Sequence, residues 1–203
     1  MKKIKICGIT CEREAEYLNE AGVDFAGMIQ FVEKSRRNIS LERASSIMKR
    51  LDPSILPVAV TVCPEKEQLR RIEEAGFGAV QIHGSIPEML LDGIRIPVIK
   101  AFNVGDLSDY GRFCGDDRVA GFIFDAQTPG SGKTFDWSLL GNIPAGEKPA
   151  LIAGGIGPDN AVEALTVTGL AGVDVSSGAE GSDGLKSREK ILALVRNVRA
   201  MEK

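Results

Sequence analysis

The chain has 203 residues, 43% hydrophobic and 26% charged, enough for one substantial core, with two small domains the other arrangement this length allows. Its formal net charge of −3 supplies no broad positive field for nucleic acid or an anionic membrane, so an anionic ligand must be gripped by local groups. No apolar run reaches the roughly 18 residues that cross a bilayer, and the start MKKIKICGIT lacks a signal peptide's apolar stretch, which points to the cytoplasm.

Eight short apolar runs follow one another along the chain: residues 4–7, 25–31, 56–62, 79–82, 98–102, 119–124, 150–153 and 172–175. They are dense in Val, Ile and Phe without strict alternation, as parallel strands buried on both faces are. Between the first two lies a helical pattern over about 11–21, with Thr10 as its cap and Ala15, Leu18 and Ala21 on one face. Ser40 is placed to cap a second helix carrying Ala44, Ile47 and Met48. Pro64 opens a third, with Leu69, Ile72 and Ala75 inward and Gly76 as its stop. Segments 86–93, 106–114 and 137–142 carry weaker helical patterns, and 187–200 a clear one with Ile191, Leu194, Val195 and Val198 on one stripe.

An internal echo fits this alternation. Glu20-Ala21-Gly22 recurs as Glu74-Ala75-Gly76, each ending a helix just before a strand, at a spacing of two strand–helix units. Eight strands alternating with helices predict an α/β fold: a single (β/α)8 TIM barrel, a parallel eight-stranded sheet spanning residues 1–203 as one domain. The periodicity alone leaves an open doubly wound sheet as the alternative.

Four cysteines, at 7, 11, 63 and 114, form no CxxC pair, and His83 is the only histidine, so no zinc-ligand spacing is present. In a barrel the C-terminal ends of the strands and the loops after them build the active site. Strand one ends at Cys7, where a thiol with a lowered pKa is a base or nucleophile and an ordinary one is a packing residue. Strand six ends at Asp125, which breaks an apolar run; a carboxylate there is either functional or a local cap. Strand seven runs into Gly154-Gly155-Ile156-Gly157, and strand eight gives Asp174-Val175-Ser176-Ser177-Gly178 at the start of a short helix. Backbone amides in such loops wrap phosphate, in the loops where barrels often hold it; the plainer reading is a pair of tight turns.

The strings KICGIT, KSRR followed by NIS, QIHG, PGSGKTFDW, AGGIGPDN and GVDVSSG occur in that order. Together they resemble the phosphoribosylanthranilate isomerase family over essentially the whole chain. The resemblance implies an Amadori rearrangement in tryptophan biosynthesis, of N-(5-phosphoribosyl)anthranilate to 1-(o-carboxyphenylamino)-1-deoxyribulose 5-phosphate. It implies neither cofactor nor metal, and a small sugar-phosphate as partner rather than nucleic acid or membrane, with the chain a monomer or homodimer. Asp125 falls on the family's general acid, which protonates the furanose oxygen and opens the ring to an iminium ion. Cys7 falls on its general base, which then takes the proton from C2. Arg37 lies on the arginine that holds the anthranilate carboxylate, with Arg36 one residue away as the competing assignment, and His83 lies at the mouth. Gly154, Gly155, Asp174, Ser176 and Ser177 complete the expected substrate-binding set.

Members commonly read Val-Phe-Val-Asn where this chain has Val60-Thr61-Val62-Cys63, Pro at Glu33 and an aromatic at Asn38. The strand-three change raises the question of a reshaped mouth. The other readings are another phosphate-binding barrel enzyme, such as a metal-dependent sugar-phosphate epimerase, and a diverged relative that binds without turnover.

Overall fold

The structure is a computed structural model and describes residues 1–126, 134–142 and 148–201. Eight strands, β1 (Lys3–Cys7), β2 (Phe25–Ile29), β3 (Leu56–Val62), β4 (Ala79–His83), β5 (Val98–Asn103), β6 (Val119–Asp125), β7 (Ala150–Ile152) and β8 (Gly172–Val175), pair in parallel in chain order. The last pairs with the first, with Lys5 opposite Asp174, so the sheet closes into a barrel and the open alternative is excluded. Closure leaves no free edge, and each strand is buried on both faces, which is why the runs read as continuous apolar stretches.

The barrel interior holds Val58, Val60, Ala79, Ala101, Ile123 and Leu151, with polar Lys5, Gln81 and Asp174 also buried. The larger apolar layer lies between strands and helices, where Phe102 meets Tyr110, Phe113, Phe122 and Phe124 at centroid separations of 5.8–6.2 Å.

The helices are α1 (Glu12–Ala21), α2 (Leu41–Met48), α3 (Lys66–Glu74), α4 (Glu88–Leu91), α5 (Tyr110–Cys114), α6 (Ala161–Thr168) and α7 (Arg188–Ala200). Ser40 and Ser187 cap α2 and α7, their hydroxyls accepting from Arg43 N and Lys190 N. The cap of α1 is Cys11, not Thr10, because the Glu14 carboxylate turns back to accept from both backbone amides. Helix α3 starts at Lys66 with Glu65 at its cap, where Gln68 Oε1 accepts from Glu65 N; Pro64 lies outside it. The segment expected over 137–142 is a 3₁₀ helix, Trp137–Asn142. Helix α6 has no sequence forecast: AVEALTVT lacks a polar stripe, and its preceding Asn160 serves the loop behind it rather than the helix end. No helix among the described residues is long and apolar enough to cross a membrane.

Candidate active site

A cavity of about 400 Å³ opens at the C-terminal ends of the strands, and Cys7, Arg37, His83, Asp125, Gly154, Gly155, Asp174, Ser176 and Ser177 all line it. Nine positions scattered from 7 to 177 thus share one chamber because each lies in the C-terminal half of a strand or in the loop after it.

Cys7 ends β1 and Asp125 ends β6, three steps apart around the ring. The thiol is 8% exposed. Burial, with the Asp174 carboxylate adding to it, pushes its pKa up, and the ammonium groups of Lys5 and Lys186 pull against that. Asp125 Oδ1 accepts from Ala126 N at 2.8 Å. Burial, reinforced by the neighbouring charge of Asp174, lifts its carboxyl to about 6, so that a minority of molecules keep its proton at neutral pH. His83 is held neutral by burial, with Lys5 and Lys100 adding to the depression to about 4. Gln81 Nε2 donates to His83 Nε2 at 2.8 Å, which puts the ring proton on Nδ1. Gln81 Oε1 is buried in the same cavity wall with no hydrogen-bond partner among the described residues.

On the other side lies an anchored cation. Arg37 Nε donates to Glu180 Oε1 at 2.5 Å, and Lys186 Nζ donates to the same oxygen at 3.1 Å. Burial opposes ionisation of Glu180, yet these two partners hold its carboxyl at about 2. Arg36 also contacts Glu180, but its side chain is 60% exposed and it does not line the cavity.

Gly154 and Gly155 adopt φ of +81° and +66°, in the left-handed region that glycine tolerates, and a Cβ at Gly154 would stand 2.6 Å from Ala126 N. Their amides donate to no described residue. Asn160 braces the loop, accepting from Gly157 N at 2.8 Å and donating to Gly155 O at 3.0 Å. The helix after Ser176 is a single 3₁₀ turn, Ser177–Ala179, too short to act through a macrodipole, which leaves loop amides and hydroxyls as the anion-binding groups the segment offers.

Sequence reading missed Glu180, Lys186 and Lys5, all charged and all buried, because nothing in the local pattern reveals which charges the barrel closes over. The altered end of strand three leaves the chamber intact: Val60 and Val62 line it, Thr61 and Cys63 do not. Of the PGSGKTFDW string, residues 129–133 lie outside the described residues; Phe135 and Trp137 pack on the outer core.

A closed parallel barrel whose strand ends bring a carboxyl, a thiol and a glycine-rich loop into one chamber has the layout of a (β/α)8-barrel enzyme. The family model for N-(5'-phosphoribosyl)anthranilate isomerase matches residues 4–197, and the chain belongs to that family of isomerases. The N-(5'-phosphoribosyl)anthranilate isomerase of Myxococcus xanthus (strain DK1622) is 36% identical, over 98% of this chain and 97% of its own length. The crystal structure of phosphoribosyl anthranilate isomerase from Thermotoga maritima superposes with a TM-score of 0.87 at 35% identity, covering 98% of this chain and 100% of that one. A phosphoribosyl anthranilate isomerase in complex with reduced 1-(o-carboxyphenylamino)-1-deoxyribulose 5-phosphate is similar at 34% identity and TM-score 0.85, with coverage of 98% and 100%.

Proposed function

We propose that this protein converts N-(5'-phosphoribosyl)anthranilate to 1-(o-carboxyphenylamino)-1-deoxyribulose 5-phosphate in tryptophan biosynthesis, with Asp125 as general acid and Cys7 as general base. The observation that carries the assignment of roles is the pairing, across one chamber, of a carboxyl raised to about 6 with a thiol flanked by cations.

Asp125 gives its proton to the ring oxygen as the C1–O bond breaks, and the anthranilate nitrogen's lone pair forms the C1=N iminium. The positive nitrogen acidifies C2–H. The Cys7 thiolate takes that proton, and the C–H electrons become the C1=C2 bond of an enolamine as the iminium electrons return to nitrogen. Loss of the enol proton and protonation at C1 give the ketose, so the substrate is isomerised without gain or loss of atoms.

Arg37 is oriented for the anthranilate carboxylate: Glu180 occupies its Nε, leaving the Nη groups for a bidentate contact. Gly154, Gly155, Ser176 and Ser177 are assigned to the phosphate, and His83, neutral and donating from Nδ1, to a substrate oxygen. All of these groups come from one chain, so a monomer or each half of a homodimer would hold a complete site. The four free thiols suit a reducing cytoplasm.

A bacterial strain lacking its own phosphoribosylanthranilate isomerase tests the reading. Expression of this chain is expected to restore growth without tryptophan. No growth despite folded protein in the cells would overturn it.

A further inference from the structure

Lys5 is wholly buried inside the barrel, an expensive place for an ammonium unless it has work there. It stands opposite Asp174 in the β1–β8 register, and its Nζ lies 3.0 Å from Asp174 Oδ1. A Cβ at Gly27 would fall 2.8 Å from Lys5 Nζ and 3.1 Å from Cys7 Sγ. The ammonium and the thiol are therefore at most 5.9 Å apart, the sum of those distances, and the bare glycine on β2 leaves them room to be neighbours. Asp174 in turn lines the cavity with Asp125.

We propose that the buried Lys5–Asp174 ion pair polarises the two reacting groups in opposite senses, its Lys5 end favouring the Cys7 thiolate and its Asp174 end favouring protonated Asp125. The proposal rests on the isomerase reading above and moves Asp174 from substrate contact to this positioning role. After burial, Lys5 is the strongest influence on Cys7, and Asp174 the strongest on Asp125. Among the described residues, Lys186 faces Cys7 but is paired with Glu180, as is Arg37 from the loop after β2, and His83 on β4 is neutral.

The consequence is kinetic. An acid that titrates below a base is productive only in the minority of molecules that carry the proton on the acid and not on the base. Each pH unit by which the two titrations converge multiplies that minority tenfold. One buried pair pulls Cys7 down and Asp125 up together.

The test is an NMR titration of Cys7 (¹³Cβ) and Asp125 (¹³Cγ), in the chain with Cys11, Cys63 and Cys114 replaced by Ser. In the neutral double variant Lys5→Met/Asp174→Asn, the Cys7 titration should move up and that of Asp125 down. Where substrate is turned over, the plateau of kcat/KM should fall about tenfold per unit of added separation while its limbs move apart. Should the double variant not fold, Asp174→Asn alone should lower both titrations, since each group loses a negative neighbour. Unchanged titrations in folded variants, or both rising in the double variant, would overturn the proposal. The titrations need no substrate, so a parent that fails to isomerise while its titrations shift as stated would sink the isomerase reading and leave the ion pair's action standing.

Discussion

Arg37 lines the cavity with its Nε held by Glu180, whose carboxylate accepts from it at 2.5 Å from a position 6% exposed. A guanidinium fixed along one edge presents the other in a set orientation, which favours the substrate before and during reaction alike. Arg37→Ala and Glu180→Gln should therefore raise KM with little loss of kcat. In a double-mutant cycle their effects should fall well short of additive, because one acts through the other. Arg36→Ala should change KM far less. Steady-state kinetics on the four variants check this, and a larger effect from Arg36 would reverse the assignment.

Asp125 carries a stability cost that depends on pH. Its carboxyl titrates near 6 in the folded chain against an ordinary value of 3.8, so the folded state binds the proton more tightly and stability falls as pH rises from about 4 to about 6. The full shift corresponds to at most on the order of 2–3 kcal/mol, less where the mouth admits water. Asp125→Asn, which keeps an acceptor for Ala126 N, should melt above the parent at pH 8 and together with it at pH 4. Melting curves at the two values decide the matter; an Asn variant less stable at pH 8 would contradict the burial argument.

Among the four thiols only Cys7 lines the chamber. Iodoacetamide should inactivate the enzyme by alkylating Cys7, and substrate or product should slow that inactivation. Replacing Cys11, Cys63 and Cys114 together should leave most of the turnover. Peptide mapping by mass spectrometry identifies the modified residue, and inactivation that tracks Cys63 instead would point away from a thiol base.

Strand three offers two stabilising substitutions that leave the chamber alone. Thr61 is fully buried, and its hydroxyl has no partner among the described residues, so Thr61→Val should add about 1 kcal/mol. Cys63 sits at φ +43°, in the left-handed region where asparagine is far more at home than cysteine. Cys63→Asn should add several tenths of a kcal/mol. Urea denaturation of each variant measures both gains.

The barrel was legible because burial on two faces leaves a mark on every strand: the runs beginning at residues 56 and 172 end at Val62 and Val175, where the strands end. Helix α6 was not, since a helix that is apolar nearly all round has no stripe to find. At the site, strand-end positions led to Cys7, Asp125 and the glycine loop through the general layout of barrels. Lys5, Glu180 and Lys186 stayed hidden. Lys5 meets Asp174 169 positions away and Glu180 meets Arg37 143 positions away, pairings that only closure of the ring creates, and Lys186 joins that cluster through Glu180.

The account stands or falls on turnover. Loss of anthranilate-substrate fluorescence should be followed with the purified parent, Cys7→Ser and Asp125→Asn side by side, each first shown to be folded. The parent should consume N-(5'-phosphoribosyl)anthranilate and form a product of unchanged mass. Asp125→Asn should lose roughly 10²–10⁴-fold in kcat, as expected for a missing general acid, and Cys7→Ser most of its activity. A folded parent that leaves the substrate untouched, or two variants that match it, would contradict the account.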